Sequence, residues 1–174
     1  DDSMTQGETV ILGLLNARNY YGYELEKIID QNYMRFWTDI GFSSIYNILN
    51  KLSKKELIAY QYEKEYGAPR RKVYYILDKG RETFREEVKR MLATPNEAHH
   101  DVNVGLVFSS VLTDEEVRDA LQEYKQRLLK KRDMYEYDIP EKARKKRTVA
   151  LAHSRVKALI QAELTWLEEQ LTSG

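Results

Sequence analysis

The chain has 174 residues, 42% of them hydrophobic, and its 28 Lys plus Arg are matched by 28 Asp plus Glu, so it can bury a core, and any attraction to a polyanion must come from how charge is distributed. It contains no cysteine, which excludes a disulfide framework and thiolate metal sites and fits a reducing compartment. No apolar run reaches the ~20 residues of a membrane-spanning helix, and the first residues lack the basic-then-apolar pattern of a secretory signal, so a cytoplasmic location with no membrane partner is expected.

From Thr9, "TVILGLLNARNYYGYELEKIID" places Val10, Ile11, Leu14 and Leu15 on one helical stripe, breaks at Asn19 to Gly22, and resumes with Leu25, Ile28 and Ile29 on another. That pattern predicts two helices with a tight connection. "QNYMRFWTDIGF" interrupts the periodicity, after which "SSIYNILNKLSKK" sets Ile45, Ile48, Leu49 and Leu52 at i, i+3, i+4 and i+7, a third amphipathic helix. "LIAYQYEKEY" and "RKVYYIL" are rich in Tyr, Val and Ile and flank the turn residues "GAP", which predicts a two-stranded antiparallel hairpin, followed by a helix from Asp78 to about Met91.

"ATPNEAHHD" loses all periodicity around Pro95 and marks a domain boundary. Beyond it, "VNVGLVFSSVL" reads as an apolar, buried helix, and Thr113 with Glu116 forms a capping box that opens a charged helix to about Tyr137. After Pro140, "EKARKKRTVALAHSRVKALIQAELTWLEEQL" runs as one helix with a stripe of Val149, Ala152, Val156, Ile160, Leu164, Leu167 and Leu171. The expected organisation is a domain over 5–92, a linker over 93–100 and a helical domain over 101–172.

Three short helices and a hairpin are the layout of a winged helix-turn-helix, so the expected class is mainly α with a small β-hairpin. On the third helix, Ser43, Asn47, Asn50 and Lys54 fall opposite the apolar stripe, with Ser44, Tyr46 and Lys51 beside them. Asn can read base edges and Ser and Lys can serve phosphates. That face carries no carboxylate before Glu56. Arg70, Arg71 and Lys72 cluster at the hairpin tip, where a wing runs beside DNA phosphates. Each signal alone also fits a solvated surface; the two at geometrically related places favour double-stranded DNA.

In order and spacing, "ILGLL" (11–15), "GYEL" (22–25), "FW" (36–37), "SIYNILNKL" (44–52), "LI" (57–58) and "GAPRRKVYYILDKGR" (67–81) resemble the PadR family of bacterial and archaeal transcriptional regulators. The match covers the first half closely. The two-helix remainder, with Trp166 to Glu168 near its end, is similar in layout to the longer subfamily with a C-terminal helical dimerisation domain. This resemblance implies a homodimeric winged-helix regulator, usually a repressor, that binds a near-palindromic operator and is released by a small, often aromatic, ligand. It gives Tyr46 the recognition-helix tyrosine's place and makes Arg70, Arg71 and Lys72 the basic wing. Three positions depart from the family pattern: Phe42 and Ser43 stand where Gly or Pro often precedes the recognition helix, Glu56 replaces a Gly at a helix C-cap, and Leu77 replaces a capping Thr, leaving Asp78 for that role.

Val156, Ile160, Leu164, Leu167 and Leu171 form a stripe wider than one helix can hide, the expected dimer interface. Trp37, Phe108 and Trp166 are candidates for an aromatic effector pocket, although aromatic residues commonly serve as core anchors. His99, His100 and Asp101 have the chemistry of metal ligands, which keeps a metal-responsive regulator as an alternative. With His153 as the one further histidine, a full ligand set is lacking, and no metal or cofactor is expected. A dimeric protein-interaction module without DNA binding would share every helix. No Gly-rich phosphate loop, nucleophile elbow or apolar carboxylate pair is present, so no enzyme activity and no catalytic residue are expected.

Overall fold

A computed structural model of the chain describes residues 4–32, 34, 38, 40–41, 45–64, 67, 69–95, 100–137, 141 and 145–172. The chain divides into two units, residues 1–96 and 97–174.

The first unit begins with α1 (Gln6–Ala17), whose start is a capping box: Glu8 N–H donates to Thr5 Oγ1 at 3.2 Å and Thr5 N–H to Glu8 Oε2 at 3.3 Å. A two-residue strand β1 (Tyr20–Tyr21), α2 (Gly22–Gln31) and α3 (Ile45–Lys54) follow, then β2 (Ile58–Glu63), β3 (Arg71–Ile76) and α4 (Asp78–Ala93). The sheet has three antiparallel strands in the order β1-β3-β2, with Tyr20 opposite Tyr74 and Ile58 opposite Ile76. The break after α1 is therefore more than a connection, because it adds an edge strand to the expected hairpin. Ile11, Leu12 and Leu15 of α1, Leu25 and Ile29 of α2, Ile45, Leu49 and Leu52 of α3, and Ile58, Tyr74 and Ile76 of the sheet close one core.

Two backbone features fix how α3 leads into the wing. Leu57 N–H donates to Leu52 C=O and Glu56 N–H to Ser53 C=O, both at 3.0 Å, the bond pair of a Schellman stop. Glu56 takes the left-handed position with φ 58°. It stands at the expected C-cap, where a glycine would avoid the steric cost that its β-carbon brings. At the start of α4, Leu77 N–H donates to Leu57 C=O at 3.0 Å. A β-carbon on Gly80 would lie 2.0 Å from that same carbonyl oxygen, so only glycine lets α4 approach. Asp78 does not cap this helix. Leu77 is the N-cap without a side-chain bond, and Asp78 sits in the first turn, where its charge complements the helix dipole.

The second unit contains α5 (Asp101–Val107), a single 3₁₀ turn (Ser109–Val111), α6 (Asp114–Tyr137) and α7 (Arg147–Thr172). The Thr113–Glu116 box forms at the start of α6, with N–H donors at 2.8 and 3.2 Å. The two long helices pack antiparallel: Arg118 donates to Leu171 C=O, Tyr124 to Glu163 and Lys157 to Glu136. Leu128, Ile160, Leu164 and Leu167 are buried between them, with Leu121, Tyr124, Val156 and Trp166 packed around. The stripe assigned to a second copy is thus covered in part from within: α6 buries Ile160, Leu164 and Leu167, because its sparse apolar positions fall on one face despite its charge. The segment expected to be a buried helix differs too: α5 has no buried residue, and Val104, Val107, Phe108 and Val111 are 61%, 75%, 65% and 84% exposed.

Candidate nucleic-acid interface

Because α3 turns Ile45, Leu49 and Leu52 into the core, helical geometry leaves Tyr46, Asn47, Asn50, Lys51 and Lys54 exposed. Each is held differently. Tyr46 is 53% exposed, and its ring rests on the start of α2, where a β-carbon at Gly22 would lie 2.7 Å from Tyr46 Cε1. Lys51 reaches back to α1 and pairs with Glu8 at 2.5 Å, a carboxylate whose side chain is only 1% exposed. An unpaired buried carboxylate would be costly, so Lys51 ties α3 to α1, and its charge is less available than that of Lys54. Ser43 and Ser44 lie outside the described residues.

On the wing, the turn passes through Gly67 at φ 82°, and the strand register sets Arg71 opposite Glu63 and Lys72 opposite Tyr62. Each of the three cations lies on a tyrosine ring. Arg70 Cζ is 4.9 Å from the Tyr62 centroid, Arg71 Cζ 5.3 Å from that of Tyr23, and Lys72 Nζ 4.2 Å from that of Tyr60. Arg71 also donates to Tyr23 Oη at 3.5 Å. Tyr23 stacks on Tyr21 with centroids 5.6 Å apart, and Tyr21 Oη donates to Glu63 at 3.0 Å. Among the described residues no carboxylate pairs with Arg70, Arg71 or Lys72. A ring face holds a cation in place without neutralising it, so the three charges stay available to an anion. Behind them Tyr74 is buried, which pushes its phenol up, while Lys72 pulls the other way.

Tyr23, Tyr60 and Tyr62, whose rings seat the three cations, are positions that sequence reasoning did not single out. The available signal is the period-two spacing of tyrosines in "IAYQYE", which puts Tyr60 and Tyr62 on one face of β2.

Trp37 lies outside the described residues, Phe108 is exposed, and Trp166 lines a cleft of about 300 Å³ within the second unit. A larger hollow of about 540 Å³ in the first unit is lined by Met4, Val10, Leu14, Met34, Phe84 and Met91 among others, and scattered methionines are its one trace in the sequence. His99 is also outside the described residues, and His153 Nε2 lies 2.7 Å from Tyr135 C=O on α6.

Residues 11–86 match the transcriptional regulator PadR-like family. The matched stretch runs from α1 through the wing into α4, all within the first unit. Its fold is similar to that of Bacillus subtilis PadR in complex with operator DNA, at 19% identity and a TM-score of 0.77, covering 95% of this chain and 97% of that one. The same protein in complex with p-coumaric acid gives a TM-score of 0.79 at 19% identity, over 95% and 96% of the two chains. The PadR-like transcriptional regulator BC1756 from Bacillus cereus gives 0.66 at 22% identity, over 99% and 97%. A comparison with curated proteins finds no match. At these identities the solved PadR structures establish the winged-helix fold with C-terminal helices. Among the described residues, no helix is long and apolar enough to cross a membrane.

Proposed function

We propose that this PadR-like regulator acts in the cytoplasm as a homodimeric, ligand-released repressor, with α3 of each copy in the major groove of a near-palindromic operator and the wing on the flanking backbone. The observation that carries the reading is the wing: three cations, each seated on a tyrosine and, among the described residues, none paired with a carboxylate, beside the exposed face of α3. Phosphates are the complementary partner for such a row. Tyr46, Asn47 and Asn50 are the base-reading candidates, with Lys54 on the backbone. Two-fold symmetry would set the two recognition helices ~34 Å apart, one turn of duplex. The B. subtilis PadR structures with operator DNA and with p-coumaric acid support the same pair of ligand classes.

For the dimer, Ile160, Leu164 and Leu167 are already covered, so the surface shifts to side chains the chain leaves open: Val104, Val107, Phe108 and Val111, with Leu151 and Leu159 of α7. Exposed apolar side chains in this number mark an association surface. Val156 and Leu171, half-buried on α7, complete the apolar set.

The test is a salt titration of operator binding, using the DNA upstream of the chain's own gene. Arg70→Ala with Arg71→Ala should weaken binding to all duplexes alike and lower the log–log salt slope by ~0.9 for every phosphate no longer neutralised. An unchanged slope would remove the wing from the interface. Asn47→Ala should cost ~1–3 kcal/mol on the operator and little on random duplex.

A further inference from the structure

The second unit carries a cleft of about 300 Å³ walled by α5 on one side and by α6 and α7 on the other. Its polar lining centres on one carboxylate. Glu163 accepts a 2.6 Å hydrogen bond from Tyr124 Oη, and among the described residues no cation pairs with it. The basic side chains nearest on α6 are held elsewhere, Lys125 by Glu168 at 3.2 Å and Arg127 by Glu123 at 2.5 Å. Among the described residues no Lys or Arg lines the cleft. Trp166, three residues on from Glu163 and so on the same side of α7, supplies one aromatic surface and Tyr124 a second. Val102, Leu106 and Ala162 make the apolar wall, and His100 and Asn103 complete the lining. Burial, reinforced by the bond to Glu163, pushes the Tyr124 phenol up to about 12, so Tyr124 remains a neutral donor at physiological pH.

We infer that this cleft binds a small organic cation, one aromatic ring bearing an ammonium group, with its charge on Glu163 and its ring against Trp166 and Tyr124. A carboxylate with no cation partner beside aromatic faces is the chemistry that selects a cation. The volume lies at the low end of the ~300–1,000 Å³ typical of small-molecule sites, which suits one ring and excludes a fused polycycle. An aromatic acid such as p-coumarate would bring its carboxylate to Glu163 with no Arg or Lys of the lining to receive it. That the cation is the regulator's effector rests on the function proposed above; that it binds here rests on the cleft alone.

The test is a titration of the full chain, without DNA, with benzyltrimethylammonium, following the Trp166 indole N–H by NMR. The two tryptophan signals are told apart by Trp166→Phe. The expected result is a saturable shift of the Trp166 signal that benzyl alcohol and p-coumarate do not produce at equal concentration. Glu163→Gln keeps an acceptor for Tyr124 but removes the charge, and it should weaken the cation roughly five- to tenfold. Tyr124→Phe keeps the ring and the carboxylate and should hold the affinity within about threefold. No saturable shift, equal affinity in Glu163→Gln, or tighter binding of p-coumarate than of the cation would each overturn the site. A chain that failed to bind its operator would leave this titration unchanged, so the two readings fail separately.

Discussion

The two units bury their apolar residues to different degrees. In the first, side chains from three helices and the sheet close around one another, and Ile11, Leu12, Leu25, Ile29, Leu49 and Leu52 have no exposed surface. In the second, the buried set among the described residues is Leu128, Ile160, Leu164 and Leu167, a single seam between two helices, while α5 and the turn after it leave Val104, Val107, Val111 and Phe108 open. Burial contributes ~25 cal/mol per Å² and must offset ~1–2 kcal/mol of backbone entropy per residue. A two-helix seam is a poor match for that cost. The contrast teaches that the first unit closes its own core, whereas the second leaves apolar surface that the proposed dimer would cover.

Truncation gives the largest expected effect. A chain ending at Pro95 should fold, sediment as a monomer, melt at a temperature independent of concentration, and bind its operator about 100-fold or more weaker because bivalency is gone. In the full chain, the unfolding midpoint of the second unit should rise with protein concentration. Sedimentation and melting at two concentrations check both. A truncated chain that dimerises and binds at full strength would break the comparison and leave the second unit needing another role.

Within the first unit, Gly80→Ala forces a methyl group onto the Leu57 carbonyl and should destabilise that unit by about 3 kcal/mol, with little change in the second unit's transition. Chemical denaturation followed with one probe per unit separates the two responses. The smallest expected effect has the opposite sign. Glu56→Gly relieves the left-handed strain at the α3 stop but loosens the unfolded chain, and the balance should be a gain of about 0.5–1 kcal/mol. A decrease in stability on that substitution would mean the glutamate side chain makes a stabilising interaction that outweighs its backbone cost.

Much of this fold is legible in the sequence because its elements are local. The stripe of Ile45, Ile48, Leu49 and Leu52, the Thr113–Glu116 box and the Tyr- and Val-rich hairpin depend on neighbours within a few residues, and they form where expected. The left-handed φ of Glu56 falls at the expected C-cap. What escapes sequence reasoning depends on distant residues meeting. Strand β1 is two residues long and becomes a strand only by pairing with Val73 and Tyr74. Lys51 reads as one more cation on an exposed helix, and only the fold brings Glu8 of α1 beneath it. Apolar character alone likewise does not say who covers what: Ile160 and Phe108 look alike in a sequence, yet one is inside the chain and the other is open.

The seating of Tyr46 on Gly22 bears on any effort to retarget such a regulator. Asn47 and Asn50 project from the exposed face of α3, so under the proposed DNA-binding mode a library at those two positions would sample new base preferences while leaving the scaffold intact. Position 46 is not independent in that sense. The missing β-carbon at Gly22 is the seat for its ring, which makes 22 and 46 one composite variable. A selection that diversifies Tyr46 alone would confound altered readout with a recognition helix that has shifted on its support, whereas randomising both together lets each new side chain find a matching seat.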